Sequence, residues 1–287
     1  MSLDPNGPEA LWDELSLVED WLSGGLRRGR PRPDFSAQAA PAGLPEAVAA
    51  SEDVGPEASA PGPAMEAEAG MEGPGPATDM EVALAPPGKP LPPRPTAAEA
   101  AALLKAMDRE VAACTACRLA SGRKKTVFGM GVPNPVVLVV GEGPGGEEDA
   151  SGLPFVGPAG QLLDRMLSAI GVSRMTNAYI ANIVKCRPPG NRDPAPDEMK
   201  ACSAWLEAQV DILQPAAILC LGRIAAQALT GSTEGITKLR GRWFSHRGIP
   251  LVATFHPSAL LRDESYKRPA WEDLKALREK LGDVLLP

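Results

Sequence analysis

Val136-Val-Leu-Val-Val140, followed by Gly141-Glu-Gly-Pro-Gly-Gly-Glu-Glu-Asp149, is the stretch that decides the fold. Five consecutive apolar residues, four of them valine, suit a strand buried on both faces, as the strands of a parallel sheet are. The glycines that follow supply a tight turn and allow close backbone approach to a ligand. Outward from this point, residues 178–184 and 216–221 read as further strands. Residues 158–170, 196–213 and 223–230 read as helices, the second with Pro196 near its first turn, where a missing N–H is tolerated. Residues 243–246 and 250–254 flank Gly248 as a hairpin or strand pair, and residues 269–281 read as a closing helix. Upstream, Thr96-Ala-Ala-Glu99 directly after Pro95 is a capping box that opens a helix to about residue 113. Strands alternating with helices predict an α/β protein, a three-layer α/β/α sandwich with a mostly parallel central sheet. Such sheets bind ligands beyond the carboxyl ends of their strands. The residues after Val140, Val184 and Thr254 are therefore the places to look for chemistry.

The chain has 287 residues and a net charge of −7, both unevenly distributed in meaning. Residues 31–95 hold 15 of the 31 prolines, set among Ala, Gly and acidic residues. Such a segment buries too little apolar surface to offset its ordering entropy, so residues 1–95 are expected to be a disordered extension. Residues 96–287 are the expected folded domain. The extension carries a net charge of −10 and the domain +3. A mildly basic domain is compatible with nucleic acid without demanding it.

Within the extension, Leu11, Leu15, Val18 and Leu22 follow helical spacing with Trp12 and Trp21 at the flanks, so residues 8–24 are expected to form a short amphipathic helix. An isolated helix of that length is marginal in water; docking into the groove of a protein partner is the alternative. No run of 18 apolar residues suggests a membrane-spanning helix, and the acidic N-terminus lacks the pattern of a secretory signal. A cytoplasmic location follows as the expectation. Five cysteines do not make a disulfide framework, and in a reducing compartment paired cysteines more often bind metal.

Five features carry chemistry. The loop Gly141–Asp149 has four glycines able to bring backbone amides to a ligand, but it lacks the lysine of a phosphate-binding loop and carries Glu147, Glu148 and Asp149, which repel polyphosphate. Phe155 lies in the Gly/Pro-rich segment Gly152-Leu-Pro-Phe-Val-Gly-Pro-Ala-Gly160, outside any helical or strand period, where an aromatic ring can stack on a flat ligand. Asn182 ends the second strand, and its amide pairs a donor with an acceptor, as reading the edge of a base requires. His256, one of only two histidines, opens His256-Pro-Ser-Ala-Leu-Leu-Arg262 just after the strand ending at Thr254. Finally, Cys114-x2-Cys117, Cys186 and Cys202 make a four-thiolate site plausible, with spacing that leaves zinc and an iron–sulfur cluster open. Cys220, inside a strand, reads as core.

Taken together, GEGPGGEED, GLPFVGPAGQLL, NIVKCRPPGNR, HPSALLR and the four cysteines resemble the family 4 uracil-DNA glycosylases, the iron–sulfur branch of the uracil-DNA glycosylase superfamily. The motifs occur in the family's order from Cys114 to Arg262; the first 95 residues lie outside the resemblance. The resemblance implies the superfamily's α/β/α fold and a [4Fe-4S] cluster on Cys114, Cys117, Cys186 and Cys202. It also implies base excision repair chemistry, in which the N-glycosidic bond of deoxyuridine in DNA is hydrolysed to leave an abasic site. By motif, Phe155 stacks on the flipped uracil, Asn182 binds its polar edge, and His256 stabilises the departing uracil anion. Glu148 matches the position that crowds the C5 side against thymine, and Glu142 with the amides around Gly143 lines the sugar and base side. Better-studied branches place a water-orienting Asp where this chain has Gly143, which leaves Glu142 as the candidate for that task. The text CRPPGNRDP lacks the histidine of the branch that cross-links to DNA, so turnover is expected.

Arg187, Arg192, Arg240, Arg242 and Arg262 are candidates for phosphate contacts. The partner is then uracil-containing DNA, single- or double-stranded, with no membrane, and the protein is expected to be monomeric. A non-catalytic, cluster-bearing DNA-binding module of the same fold is the alternative, and an enzyme of a phosphate ligand using the GEGPGG loop is a third reading.

Overall fold

The computed structural model describes residues 83–84 and 90–285. The expected helix at residues 8–24 and most of the expected disorder fall outside them. In chain order the strands are β1 (Ala83–Leu84), β2 (Met130–Gly131), β3 (Val137–Gly141), β4 (Ala178–Asn182), β5 (Ala217–Leu221), β6 (Trp243–His246) and β7 (Ile249–Thr254). The helices are α1 (Ala97–Ala112), α2 (Gly146–Ser151), α3 (Pro158–Ser168), α4 (Pro196–Leu213), α5 (Gly222–Thr230), α6 (Ile236–Leu239), α7 (Pro257–Arg262) and α8 (Lys267–Leu281).

The described strands form one seven-stranded sheet in the order β1-β6-β7-β5-β3-β4-β2. Its four central strands, β7, β5, β3 and β4, are parallel. The flanking β2 and β6 run antiparallel to β4 and β7, and β1 lies parallel to β6. Side chains alternate between the two faces of a strand, and the core divides accordingly. Val137, Val139, Ile180, Leu219 and Val252 face α3 and α8, where Leu163, Leu167, Trp271 and Leu274 cover them. Leu138, Val140, Ala181, Ile218 and Ala253 face α1, α4 and α5 through Leu104, Leu206, Val210 and Ala226. The result is the expected three-layer α/β/α sandwich.

Local signals explain the element ends. The Thr96 hydroxyl accepts the Glu99 amide at 3.3 Å while the Glu99 carboxylate accepts the Thr96 amide at 2.8 Å, so the capping box is formed at the start of α1. Glu198 in the first turn of α4 accepts the Ala195 amide at 2.7 Å, and Pro196 opens that helix. Arg247 (φ 53°) and Gly248 (φ 85°) join β6 to β7 as two consecutive left-handed residues, the geometry a two-residue hairpin needs.

Some elements were not legible. β2 has two residues and depends on contact, not pattern: a Cβ on Gly131 would lie 2.2 Å from the Ala178 carbonyl oxygen, so only glycine allows the approach to β4. α2, α6 and α7 are too short for periodicity. Packing also begins upstream of Thr96. The Pro90 and Pro92 carbonyls accept bonds from Arg247 and Gln214, and β1 adds to the β6 edge. Among the described residues no helix is long and apolar enough to cross a membrane.

Candidate active site

The sheet register brings the sequence-distant motifs to one end. Gly141 and Asn182 are direct partners across β3 and β4, and the pairing continues as the Ile183 amide donates to the Gly141 carbonyl at 2.9 Å and the Val184 amide to that of Glu142 at 3.1 Å. A Cβ on Gly141 would stand 2.5 Å from Asn182 Oδ1 and 2.6 Å from Phe155 Cζ, so the absent side chain is what lets the ring and the amide share that space. Asn182 is 1% exposed, and its Oδ1 has no hydrogen-bond partner among the described residues. Buried polar atoms are nearly always paired, so an orphan acceptor at the carboxyl end of a strand is a candidate for a ligand donor.

Phe155 reaches this position in a left-handed backbone conformation (φ 52°), rare for a bulky residue. Two features hold it there. Buried Arg174 donates to the Pro154 carbonyl at 2.8 Å and the Phe155 carbonyl at 3.1 Å, while its Nε bonds Asp164 at 2.9 Å. Gly160 lets the start of α3 press against the loop, since a Cβ there would lie 2.0 Å from the Phe155 oxygen.

His256 follows β7 and caps α7. Its Nδ1 accepts the Ser258 amide at 3.2 Å and lies 2.8 Å from the Ser258 hydroxyl. An Nδ1 that accepts carries no proton, so the neutral imidazole holds its proton on Nε2. Burial pushes the imidazole down to about 4, with the Arg262 charge adding to the depression and Glu148 opposing it. The ring is therefore neutral at pH 7. It lies 5.6 Å from the Phe155 ring, centroid to centroid, tilted by 32°. Gly222, at the start of α5, gives it room, because a Cβ there would be 3.0 Å from His256 Cβ.

The acidic residues of the first loop serve different ends. Glu148 accepts from the amides of Gly145 (3.1 Å), Val156 (2.9 Å) and Gly157 (3.2 Å), and so pins the first loop to the Phe155 loop. Asp149 turns inward and accepts the Lys124 amide at 2.9 Å. The second half of the expected loop is the helix α2. Gly143 packs against Val184 and Pro188. Glu142 is half-buried, and its carboxyl is pushed up to about 6 by desolvation, with Asp193 adding and Arg223 opposing. Asp193 and Arg223 pair with each other beside it.

The four cysteines assemble at a separate place. Cys114, Cys117, Cys186 and Cys202 line one cavity of about 290 Å³, counting space open to solvent, between α1, α4 and the segment after β4. All are free thiols, Cys186 and Cys202 buried, and burial raises the pKa of both. Among the described residues no three His, Cys, Asp or Glu side chains converge closely enough to clasp a single ion. The thiols ring the cavity wall. Arg123 ties the two halves of this ring, donating to the Cys114 carbonyl at 2.7 Å and to Cys186 Sγ at 3.3 Å. The Lys185 amide donates to Cys202 Sγ at 3.3 Å. Cys220 is fully buried in β5, as a core residue is.

The five arginines divide. Arg192 makes a two-pronged pair with buried Glu198, at 2.8 and 2.7 Å, and holds that carboxyl down at about 2. Arg240 also makes a two-pronged pair, with buried Asp273 at 3.0 and 2.8 Å, but there burial wins and pushes the carboxyl up to about 6, with Arg240 opposing. Both guanidiniums are thus engaged by a carboxylate, Arg240 largely buried and Arg192 still exposed on its outer side. Arg242 pairs with Glu234 at 3.2 Å. Arg262 is exposed, and Arg187 is half-buried with its Nε on Asn191. Sequence reasoning missed Arg174, Arg123, Lys185 and Arg223. Each reads as an ordinary solvated cation in one dimension, and only its partners in space give it a role.

The sequence pattern of the uracil DNA glycosylase superfamily matches residues 128–275. A type-4 uracil-DNA glycosylase of Thermotoga maritima is 43% identical over 179 residues, covering 60% of this chain and 92% of that protein. One of Archaeoglobus fulgidus is 36% identical over 182 residues, covering 61% and 91%. A type-5 uracil-DNA glycosylase of Thermus thermophilus is 33% identical over 194 residues, covering 53% and 88%. With its motifs gathered at the carboxyl ends of β3, β4 and β7, and with type-4 enzymes among its relatives at up to 43% identity, the chain belongs to the uracil DNA glycosylase superfamily, on its type-4 branch.

Proposed function

We propose that the protein excises uracil from DNA by hydrolysing the N-glycosidic bond, with the site at the carboxyl ends of β3, β4 and β7 as the uracil pocket. The observation that carries the reading is the buried, unpartnered Asn182 Oδ1 beside Gly141 and the Phe155 ring. Uracil presents an N3–H donor for that oxygen and an O4 acceptor for the amide NH2. A base inside a duplex is out of reach of such a site, so the nucleotide flips out first. Phe155 then stacks on the ring.

In the chemical step the C1′–N1 bond breaks and its electron pair leaves with uracil, giving an anionic base and a cationic sugar. The His256 Nε2–H donates to the developing anion, and its neutral state suits a donor that is to hydrogen-bond without protonating. Water attacks C1′ from the other side and gives up a proton. Glu142, a partly desolvated carboxylate with an elevated pKa, is the group we assign to orient that water and accept the proton. Glu148 limits the pocket on the C5 side while holding the two loops together, and the amides around Gly143 line the sugar side. Arg187 and Arg262 are the arginines of the five best placed for phosphate.

Four cysteines around one cavity, with N–H donors aimed at two of the sulfurs, fit a thiolate-ligated [4Fe-4S] cluster on Cys114, Cys117, Cys186 and Cys202. Hydrolysis moves no electrons, so a cluster held by these four cysteines would brace the segment after β4 and would not be needed for redox chemistry. The protein purified without oxygen is expected to be brown with about four irons per chain. Colourless protein holding one zinc overturns the cluster.

The test of function is release of uracil from single- and double-stranded oligonucleotides containing one deoxyuridine, read as abasic-site cleavage. Binding without release supports the non-catalytic module instead.

A further inference from the structure

We propose that Lys185 is a positioning residue that ties the four-cysteine cavity to the base-reading end of β4; the proposal rests on the glycosylase reading above. Lys185 is 1% exposed and is among the largest wholly buried side chains of the chain. Its ammonium donates to the Asn182 carbonyl at 2.9 Å and to Gln209 Oε1 at 2.6 Å. Gln209 is itself fixed, because its NH2 donates to the Phe128 carbonyl at 3.0 Å and so turns its oxygen toward Nζ. At the other end of the same residue, the Lys185 amide donates to Cys202 Sγ, the next residue is Cys186, and Lys185 lines the cysteine cavity. One residue therefore touches the peptide that carries Asn182 and the wall of the metal pocket.

The choice of lysine has a physical reason. A buried ammonium is costly unless charge and hydrogen bonds compensate it. Both of its oxygen acceptors are neutral. A centre ligated by the four thiolates would be anionic and, from the cavity that Lys185 lines, would supply the missing countercharge. Binding of the centre and placement of Asn182 are then linked through Lys185: the charge holds the ammonium, and the ammonium holds the end of β4. A methionine would fill the same volume but leave the Asn182 carbonyl and Gln209 without a donor.

The test compares the metal-loaded parent with Lys185→Met, Gln209→Met and Gln209→Glu. Bound iron and visible absorption are measured beside single-turnover uracil release over a range of DNA concentrations. Lys185→Met is expected to lose iron to a chelator faster than the parent. Its maximal rate should fall about tenfold or more, with half-saturating DNA within about twofold, because the lost charge-assisted hydrogen bond holds the Asn182 backbone and no phosphate contact is touched. Gln209→Met keeps the charge and touches no cysteine, so it should keep its iron and still lose about threefold to tenfold in maximal rate. Gln209→Glu keeps an acceptor for the ammonium but loses the donor to Phe128, so it should recover only part of that loss, and a rate no better than that of Gln209→Met counts against the proposal.

If Lys185→Met does not fold, Gln209→Met decides, and an unchanged rate there overturns the proposal. Rates that track iron content in every variant also overturn it, since Lys185 would then be only a wall of the cavity. A parent that binds iron but releases no uracil sinks the glycosylase reading and this proposal together. An active parent with unmoved variants sinks this proposal alone.

Discussion

His256 holds its proton on Nε2 because Ser258 occupies Nδ1, and burial keeps the ring neutral down to about pH 4. The His-Pro-Ser order is visible in one dimension, but the tautomer is not, because it depends on a bond that forms only when Pro257 starts α7. Replacing His256 with Ala is expected to slow the chemical step about 100- to 1,000-fold, the usual loss for one donor to a developing anion. DNA affinity should change far less, and equal losses in both would make His256 structural.

The same pKa sets a stability window. The folded value lies below the unfolded 6.5, so the unfolded chain binds more protons between pH 6.5 and 4, and the contribution of His256 to stability falls as pH falls through that range. Melting against pH in the parent and in His256→Gln checks the sign. With Glu142 in the proposed role of proton acceptor, activity should already fall as pH drops through about 6, where its carboxyl protonates. Glu142→Gln should lower the rate and flatten that limb; a limb that persists assigns it elsewhere. Asn182→Asp removes the NH2 that the proposed pocket sets against O4, so uracil release should drop sharply. A rate within about twofold of the parent, less than one hydrogen bond, would show that Asn182 does not read the base. Weak cytosine release should appear where a proton is available at N3.

At the scale of elements, the strands and long helices were legible because their signals are local. The valine run of β3, the capping box of α1 and the Pro196 start of α4 each depend on neighbours in sequence. Pairings across the fold were not legible. Arg192 and Arg240 look like unpaired cations until Glu198 and Asp273 are found beside them, the latter 33 residues away. The Phe155 loop is the sharper lesson, since a stacking ring was foreseen but its left-handed backbone and the Arg174 brace were not. Gly160→Ala tests the other support of that loop, the close approach of α3. Its Cβ cannot coexist with the Phe155 carbonyl, so either α3 or the loop must move. A cost of about 1–3 kcal/mol is expected, or a fall in Tm of roughly 2–4 °C per kcal/mol. Uracil release should fall by more than the stability loss explains.

For the whole molecule, the division into extension and domain was read from proline and charge, and every proposed site residue lies downstream of Thr96. A chain cut to residues 96–287 is expected to keep most uracil release on short oligonucleotides. Loss of activity with the fold intact would give the extension a part in binding DNA. The contacts of Pro90 and Pro92 make a cut at residue 90 the safer comparison for stability.

The register of the central strands has a consequence for refolding. Gly141 meets Asn182 only because Val137 pairs with Ala178 at the far end of the same two strands, and Val140 meets Cys220 by the same alignment on the other side. A slip of one residue in β4 would turn Asn182 through the sheet to the opposite layer. A collapsed chain with helices formed but strands misaligned would thus have native secondary structure and no pocket. Parallel pairing of segments so distant in sequence is slow, so recovery of uracil release after dilution from denaturant should trail recovery of helical circular dichroism. Catalysis then times the moment at which the strands lock.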